Sequence, residues 1–425
     1  MEVVELINTI IGIAFAVCYA YQFFYILVAL LVKGRPHKEA RPHRIAILIS
    51  ARNEELVIEH LLDSIRKQTY SSELIKTFVI ADNCTDNTAK LSRDNGAIVY
   101  ERDNKEKVGK GYALEYLYEC ICRDFGKDAF DAFLVVDADN VLTPTFVEEM
   151  NKTFSDGYEI VTCYRNSKNY GDNWISAGYG LWFLRESVYL NKARMILKTS
   201  CAVSGTGFMF ASSVIEETGG WKCFLLTEDI EFTIDNVLKG RKIGYAKDAM
   251  LYDEQPVTFR QSWRQRMRWA RGYIQVIKKF WLKLIRGIFT RKFTSCYDMT
   301  MVILPAVVGT VASLLTLLGG LIYGLIAHVD LAPLGIMALK TFGMLYLTVF
   351  IVGFIATISE WKNLKTNWFK KIFYMFTFPL FMMTYIPISI VAVFKRVKWE
   401  PIDHSRSISI DQIEEKKKNK KNKNK

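Results

Sequence analysis

Acid-bearing segments follow three apolar runs that we predict to be strands. They are Ser50 to Glu54, Asp82 to Asp86 and Asp137 to Asn140. The carboxyl ends of parallel strands meet at one edge of a sheet, which is where open α/β sheets bind their ligands. The three segments are therefore expected to converge on one edge of a predicted sheet.

Asp137 and Asp139 flank a single small residue at the end of one predicted strand. Two carboxylates at this spacing can approach one hard divalent ion and leave room for phosphate oxygens and water. Aspartate is also common in turns after strands, so the motif alone supports either reading equally. Gly109-Lys110-Gly111 lacks the spacing of a phosphate-binding P-loop, which argues against a P-loop nucleotidase.

Thr227-Glu228-Asp229 precedes a predicted helix over residues 230–239. Thr227 or Asp229 at this position could simply cap that helix, and position alone gives capping and chemistry equal weight.

The segment with the most side chains that could bind a ligand is 262–272, SWRQRMRWARG. If it is helical, Gln265, Arg268 and Trp269 share one face and present an amide, a guanidinium fork and an indole plate. A fork suits a diphosphate and an indole suits a sugar ring, so this face could hold a nucleotide-sugar leaving group beside an acceptor. The remaining basic and aromatic residues also fit a helix lying on lipid headgroups.

The elements that position these residues alternate between short apolar runs and amphipathic stretches. Runs rich in β-formers occur at residues 44–50, 77–81, 97–100 and 133–136, with helical patterns at 54–69 and 112–125. This alternation predicts an α/β domain in which helices wrap a mostly parallel sheet.

Four apolar blocks, residues 6–32, 299–327, 331–358 and 372–394, are each long enough to cross a bilayer. Half the residues are hydrophobic, mean hydropathy is +0.09, and residues 33–291 are patterned like a globular domain. These features exclude a disordered chain, a disulfide-stapled secreted domain and a purely soluble enzyme.

The first block follows Glu2 and Glu5 and precedes a basic stretch, so we interpret it as a retained anchor with its N-terminus outside. Four full crossings would place the basic C-terminal tail outside, against the positive-inside rule. We expect block 372–394, which contains Pro379 and Pro387, to be the broken or re-entrant one.

The net charge of +12 would suit nucleic acid as a partner, but the positions of the basic residues favour lipid. The basic runs 33–38 and 395–398 adjoin apolar blocks, and 416–425 is a terminal basic tail. We therefore expect a lipid bilayer partner and no nucleic acid. The eight cysteines are scattered, and we expect them to be reduced and structural.

Residues 174–197 interleave aromatic and charged side chains, which predicts a second interfacial helix beside the one at about 257–287. Packing of 174–197 against the sheet is the alternative.

The ordered set of motifs resembles the family 2 processive glycosyltransferases, which include cellulose, hyaluronan, chitin and poly-N-acetylglucosamine synthases. The resemblance runs from Arg44 to the Trp-containing segment 399–402, and residues 265–269 match the family's Gln-x-x-Arg-Trp signature. The motifs that carry it are Asn53-Glu54, Asp82, Asp137-Ala138-Asp139, Thr227-Glu228-Asp229 and Gln265-Arg266-Met267-Arg268-Trp269.

The resemblance implies a nucleotide-sugar-binding GT-A domain fused to transmembrane helices, and it implies a role for each matching residue. Asp139 would hold Mg²⁺ or Mn²⁺, and Asp229 would be the general base. The implied substrate-binding residues are Asn53, Glu54, Asp82 for the uracil or ribose, Asp137 for the nucleotide, Lys110 near the diphosphate, Thr227, Glu228, Gln265 and Arg268 for the diphosphate, and Trp269 for the acceptor sugar.

We therefore expect an inverting, metal-dependent enzyme that polymerises a β-linked polysaccharide from UDP-glucose or UDP-N-acetylglucosamine and exports it through its own helices. The partners would be the donor, the growing polysaccharide and an accessory envelope subunit. A non-processive glycolipid enzyme is the alternative, and a catalytically silent scaffold is a remote one.

The expected organisation is an anchor at 1–33, a cytoplasmic catalytic domain at 34–291, membrane or re-entrant helices at 292–398 and a basic cytoplasmic tail at 399–425, in a bacterial plasma membrane.

Overall fold

The structure is a computed structural model that describes residues 2–328, 330–397, 399–400 and 408–413, with the backbone alone at 305–308 and 310. Most of the predicted basic tail, 399–425, lies outside the described residues.

The described residues form one eight-stranded sheet, in the order β3-β2-β1-β4-β7-β6-β8-β5. The pairs β3–β2, β2–β1 and β1–β4 are parallel. Strand β7 is antiparallel to both β4 and β6, and β5 is antiparallel to β8. The mostly parallel α/β sheet is thus confirmed. The strands are β1 Ile45–Ala51, β2 Ile75–Asp82, β3 Ile98–Arg102, β4 Ala132–Asp137, β5 Val141–Leu142, β6 Ile160–Ser167, β7 Phe208–Ala211 and β8 Ile243–Asp253.

The helices surround this sheet and continue into the apolar blocks of the sequence. A π-helix, Arg185–Asn191, joins α6 to α7. The helices are α1 Glu2–Leu31, α2 Ile58–Arg66, α3 Thr88–Asp94, α4 Lys110–Phe125, α5 Phe146–Ser155, α6 Trp174–Leu184, α7 Lys192–Ile196, α8 Ser212–Glu216, α9 Glu228–Lys239, α10 Phe259–Ile288, α11 Phe293–Ile303, α12 Pro305–Ile326, α13 Ala332–Ser359, α14 Trp368–Met383 and α15 Tyr385–Phe394.

The central strands are apolar on both faces because helices cover both. On β1, Ala46 and Leu48 pack with α4 residues such as Leu117, whereas Ile47 and Ile49 pack with the other group of helices, α2 and α5. Burial on both sides explains why these strands read as continuous hydrophobic runs. Such a sheet holds the ends of its strands rigidly, which suits a binding site.

The segment 174–197 is largely buried. Its apolar residues, including Ile175, Tyr179 and Tyr189, lie in the hydrophobic core, as the core-packing alternative expects. Phe381 of α14 packs against Tyr179, so the segment lies between the sheet and the apolar helices.

Within the described part of the chain, three helical segments are long and apolar enough to cross a membrane: Glu2–Leu31, Ala332–Ser359 and Trp368–Phe394. Within α12, residues Val311–Ile326 form a further apolar stretch. Trp368–Phe394 does contain the predicted break, at Thr384, between α14 and α15. Its 27 residues nevertheless give a length of about 40 Å, so length does not exclude it from the spanning helices.

A buried carboxylate, that of Asp298 on α11, joins the α/β domain to the apolar helices. Arg194 of α7 donates to both of its oxygens, at 2.7 and 2.8 Å, and both side chains are 1% exposed. Tyr21 and Tyr25 of α1 donate their hydroxyls to the same carboxylate at 3.0 Å. One side chain therefore fixes three helices that are far apart in sequence.

We predict that Asp298→Ala lowers the free energy of unfolding by about 3–5 kcal/mol, because it leaves the Arg194 guanidinium buried without its partner. The apparent melting temperature in detergent measures this. Asp63→Asn, which removes an exposed pairing with Arg66 and Lys67, should cost under about 1 kcal/mol. Equal effects of the two substitutions would refute the role of Asp298.

Candidate active site

The strand ends meet at a cavity of about 510 Å³, and nearly all of the predicted site residues line it. The lining includes Glu54, Asp82, Lys110, Asp137, Asp139, Thr227, Glu228, Asp229, Gln265, Arg268 and Trp269.

Asn53 is not among the residues that line this cavity. Its side-chain oxygen accepts from the amide of Thr85 at 2.8 Å, and its backbone adopts φ of 57°. Asparagine tolerates this left-handed conformation better than most residues. Asn53 therefore ties together the loops after β1 and β2, which is a structural role that its position in the motif did not reveal.

Asp82 ends β2 as a buried carboxylate. Arg102 from the neighbouring strand β3 donates to it at 2.5 Å, and the Arg102 guanidinium also reaches the carbonyl of Lys107 at 2.7 Å. Sequence reasoning missed Arg102. The register that pairs Asp82 with Arg102 across the two strands identifies it.

Lys110 opens α4 and connects two of the predicted motifs. Its ammonium donates to a carboxylate oxygen of Asp137 and to the carbonyl of Gly205 at 2.7 Å. The amide of Gly205 in turn donates to Oδ2 of Asp229 at 2.7 Å. Gly205 has φ of 72°, which glycine adopts without strain. The backbone of a single residue thus links Lys110 and Asp229.

Asp139, two residues after Asp137, is buried. Its two oxygens accept from the amide of Glu254 and from the side chain of Asn140, each at 3.1 Å. Asp253 at the end of β8 lines the same cavity and accepts from Arg165 Nε at 2.7 Å.

Asp253 has one oxygen, Oδ1, that is buried without a hydrogen-bond partner among the described residues. Burial, opposed by the nearby guanidinium of Arg165, raises the pKa of Asp253 to about 6. The sequence analysis missed this carboxylate. The signal was present, because Asp253 and Glu254 follow an apolar strand pattern, as Asp137 does.

Helix α10 forms the predicted face on which Gln265, Arg268 and Trp269 lie together. Gln265, Arg268 and Trp269 all line the cavity. Gln265 Oε1 and Arg268 Nε are buried without hydrogen-bond partners among the described residues, so they are available to a polar ligand. The Trp269 ring is held edge-on by Tyr179 and Phe183, with centroids 5.7 and 6.1 Å away.

Thr227 occupies the N-cap position of α9, yet its side chain makes no capping hydrogen bond. Its hydroxyl is buried without a partner in the described part of the chain. Capping, the alternative reading of this motif, therefore does not account for the Thr227 side chain.

Glu228 and Asp229 form a half-buried acidic pair in the first turn of α9. Burial and the neighbouring Asp229 charge raise the pKa of Glu228 to about 7, although Lys110 and Arg268 oppose the shift. Burial also raises the pKa of Asp229, while amides including that of Gly205 limit the rise. Asp229 is thus the member of the pair whose ionised form is better stabilised by hydrogen bonds.

Trp399, after the last apolar helix, also lines the cavity and lies over the guanidinium of Arg52, 5.1 Å from its ring centroid. The rest of that predicted motif, residues 401–402, lies outside the described residues.

Comparison with known proteins agrees with this geometry. Residues 42–272 match the model of "Glycosyltransferase like family 2". A probable glycosyltransferase, YdaM of Bacillus subtilis, is 26% identical over 58% of this chain and 59% of its own length. Poly-beta-1,6-N-acetyl-D-glucosamine synthase of Staphylococcus aureus is 23% identical over 62% of this chain and 61% of its own length. The chain thus spans about three fifths of these relatives.

Among solved structures, the mannosyltransferase PcManGT of Pyrobaculum calidifontis, in complex with GDP-Man and Mn²⁺, is 14% identical. It superposes with a TM-score of 0.59 over 91% of this chain and 99% of its own, which shows a shared GT-A-like fold. Since the family model covers more than half of the chain and its match contains the cavity's acidic and Gln-x-x-Arg-Trp motifs, the chain belongs to glycosyltransferase family 2.

Proposed function

We propose that this protein transfers a hexosyl group from a UDP-sugar to the end of a growing β-linked polysaccharide, with inversion, and passes the product through its own membrane helices. UDP-glucose and UDP-N-acetylglucosamine are the proposed donors. The relative that makes poly-β-1,6-N-acetylglucosamine supports the second.

The continuity of the cavity carries this proposal. The space that begins at the catalytic carboxylates is also lined by Met299 and Val302 of α11, Leu345 and Val349 of α13, and Met383 of α14. Trp269 lies on the wall of the same space, and an indole can stack on the apolar face of a sugar ring. An acceptor chain that fills this cavity would extend from the reaction centre toward the apolar helices.

The donor diphosphate is proposed to lie against Arg268, whose Nε is a buried donor without a partner among the described residues, and against the side-chain NH2 group of Gln265. A guanidinium fork binds phosphate oxygens in a bidentate way. Asp82, which Arg102 holds in place, is proposed to contact the ribose or uracil.

A divalent cation, Mg²⁺ or Mn²⁺, fits the carboxylates beside this position. Within the described residues no group of three His, Cys, Asp or Glu side chains is arranged to hold a metal alone. Mg²⁺ commonly takes one or two carboxylates and completes its shell with phosphate oxygens and water. Asp139 and the unpartnered oxygen of Asp253 fit such a set. The ion when bound would stabilise negative charge on the departing diphosphate.

Asp229 is proposed as the general base. Its carboxylate accepts the proton of the acceptor hydroxyl as the oxygen attacks the anomeric carbon, and the bond from that carbon to the diphosphate breaks to release UDP. This direct displacement inverts the anomeric configuration, so an α-linked donor gives a β-linked product. A positioned base of this kind contributes about 10²–10⁴ in rate.

The three candidate membrane spans support a multi-pass protein. We propose that the domain at 34–291 lies in the cytoplasm of a bacterium beneath helices 292–398, with 1–33 as the anchor and an accessory subunit in the envelope. If the same apolar cavity instead holds a lipid acceptor, the product is a glycolipid, and the size of the product separates the two reactions.

We expect the purified protein with Mn²⁺ or Mg²⁺ to convert one radiolabelled UDP-sugar into high-molecular-weight, glycosidase-sensitive material. Asp229→Asn should lower that rate by about 10²–10⁴ because the base is lost. Asp235→Asn, on an exposed turn of the same helix where it pairs with Lys239, is the matched control and should keep full activity.

The set of sugar donors tested should include GDP-mannose, because the structurally similar mannosyltransferase is in complex with it. Label confined to the lipid extract would replace the polymer proposal with the glycolipid one. Failure of every donor with the wild-type protein would reject catalysis by this chain alone.

We expect Asp139→Asn to abolish the metal-dependent part of UDP binding while leaving metal-free binding within about twofold, because the substitution removes a carboxylate ligand. Calorimetric titration with UDP, with and without Mn²⁺, measures the effect. Asp248→Asn, exposed on β8, is the control. An unchanged response to Mn²⁺ in the Asp139 variant would place the cation elsewhere.

We predict that Glu228→Gln stabilises the protein increasingly as the pH rises from about 5 to 8. The folded-state pKa of Glu228, about 7, lies above the ordinary value of 4.5, so ionising this carboxylate disfavours the folded state as the pH rises through that interval. Glutamine removes the penalty. Apparent melting temperatures across this range test it, with exposed Glu73→Gln as control, and a constant difference would contradict it.

A further inference from the structure

Arg266 is a fully buried cation in the middle of α10, with 0% of its side chain exposed. Its neighbours Gln265 and Arg268 line the cavity, but Arg266 does not. In the described part of the chain its partners are the Ser262 carbonyl of its own helix and, outside that helix, a carbonyl, a hydroxyl and two aromatic faces, with no carboxylate among them. An internal charge with such partners calls for a specific explanation.

All of these outer partners lie at the break between α14 and α15. Nη1 of Arg266 donates to the carbonyl of Phe381 at 3.0 Å and to the hydroxyl of Thr384 at 2.5 Å. The guanidinium carbon lies 4.4 Å from the ring centroid of Phe381 and 5.0 Å from that of Tyr385. Both distances are within the range of cation–π attraction.

The break leaves backbone carbonyls that need donors. The last turn of a helix has carbonyls without intrahelical partners. The amide of Thr384 reaches the carbonyls of Leu380 and Met382. The carbonyl of Phe381 instead accepts from Arg266 and from the Thr384 hydroxyl. Arg266 therefore satisfies a polar group that the interruption of the helix exposes.

The same contact leads to Trp269 through packed rings. Phe381 lies 5.0 Å from Tyr179, and Tyr179 lies 5.7 Å from Trp269. Gly178 allows this approach, because a Cβ there would come within 2.4 Å of the Phe381 ring. The orientation of the indole thus depends on where α14 presents Phe381.

Residues on both sides of Arg266 form walls of one cavity. Met382, Met383 and Tyr385 line it from the break, while Arg268 and Trp269 line it from α10. Apolar replacement of a buried charge is often neutral or favourable for stability, so stability alone does not account for an arginine here.

We propose that Arg266 is a positioning residue for sugar transfer. By holding the α14–α15 break against α10, it sets the distance across the cavity between Trp269 and Met383 and keeps the acceptor sugar aligned with the base. This proposal rests on the proposed function of the cavity. According to this proposal Arg266 affects the transfer step, whereas donor binding depends on its neighbours Gln265 and Arg268.

The test compares Arg266→Met and Arg266→Lys with wild type for turnover, donor KM, UDP binding and product length. Hydrogen exchange of peptides spanning residues 378–390 is measured in parallel. Arg266→Met should lower turnover at least tenfold, shorten the product, speed exchange at the break at least tenfold, and leave donor KM and UDP affinity within twofold. Arg266→Lys, which keeps one donor for the Phe381 carbonyl, should recover part of each loss.

Arg260→Met, exposed in the first turn of α10, is the control and should match wild type in every readout. Wild-type turnover and exchange in Arg266→Met would overturn the proposal, and so would an equal loss of donor affinity and turnover. If Arg266→Met does not fold, the same criteria apply to Arg266→Lys. If the wild type transfers no sugar, the proposed function fails, whereas the exchange measurement still decides whether Arg266 holds the break.

Discussion

The carboxylate of Asp298 determines how the catalytic sheet and the apolar helices are joined. It accepts two hydrogen bonds from Arg194 and one each from Tyr21 and Tyr25, so α1, α7 and α11 meet at one side chain. Fully satisfied buried charges of this kind fix geometry more strictly than apolar packing does, because each donor has a required direction. The cavity lies between the elements that this contact holds, and its shape therefore depends on it.

The cavity itself combines carboxylates and cations in a way that leaves particular atoms available. Lys110 is occupied by Asp137 and Gly205, and Arg165 by Asp253. Arg268 and Gln265 retain buried atoms without partners among the described residues. The proposed preference of the site for a diphosphate thus rests on Arg268, whose Nε lacks a partner among the described residues, rather than on the total charge of the site.

The sequence predicted the parts of the site that depend on local spacing. Gln265, Arg268 and Trp269 share a helical face because of the 3.6-residue period, and Asp137 and Asp139 follow a strand whose apolar run is easily read. Arg102 was missed because it reaches Asp82 from the neighbouring strand, through a register that no local pattern encodes. Asp253 was missed although the apolar run before it is a local signal of the same kind as the run before Asp137. The segment 174–197 was ambiguous because its mixed composition suits an interfacial helix and a buried helix equally well, and its burial depends on the packing of α14 against it.

The backbone of Gly205 connects two functions that an enzyme engineer would prefer to adjust separately. The amide before its Cα donates to Asp229 and the carbonyl after its Cα accepts from Lys110, so a change in the φ or ψ of Gly205 alters how these two contacts are placed relative to each other. The positive φ of the residue narrows the choice of replacement further. Altered acceptor preference is therefore better sought in the side chains along the cavity wall than in this loop, where few substitutions would be independent.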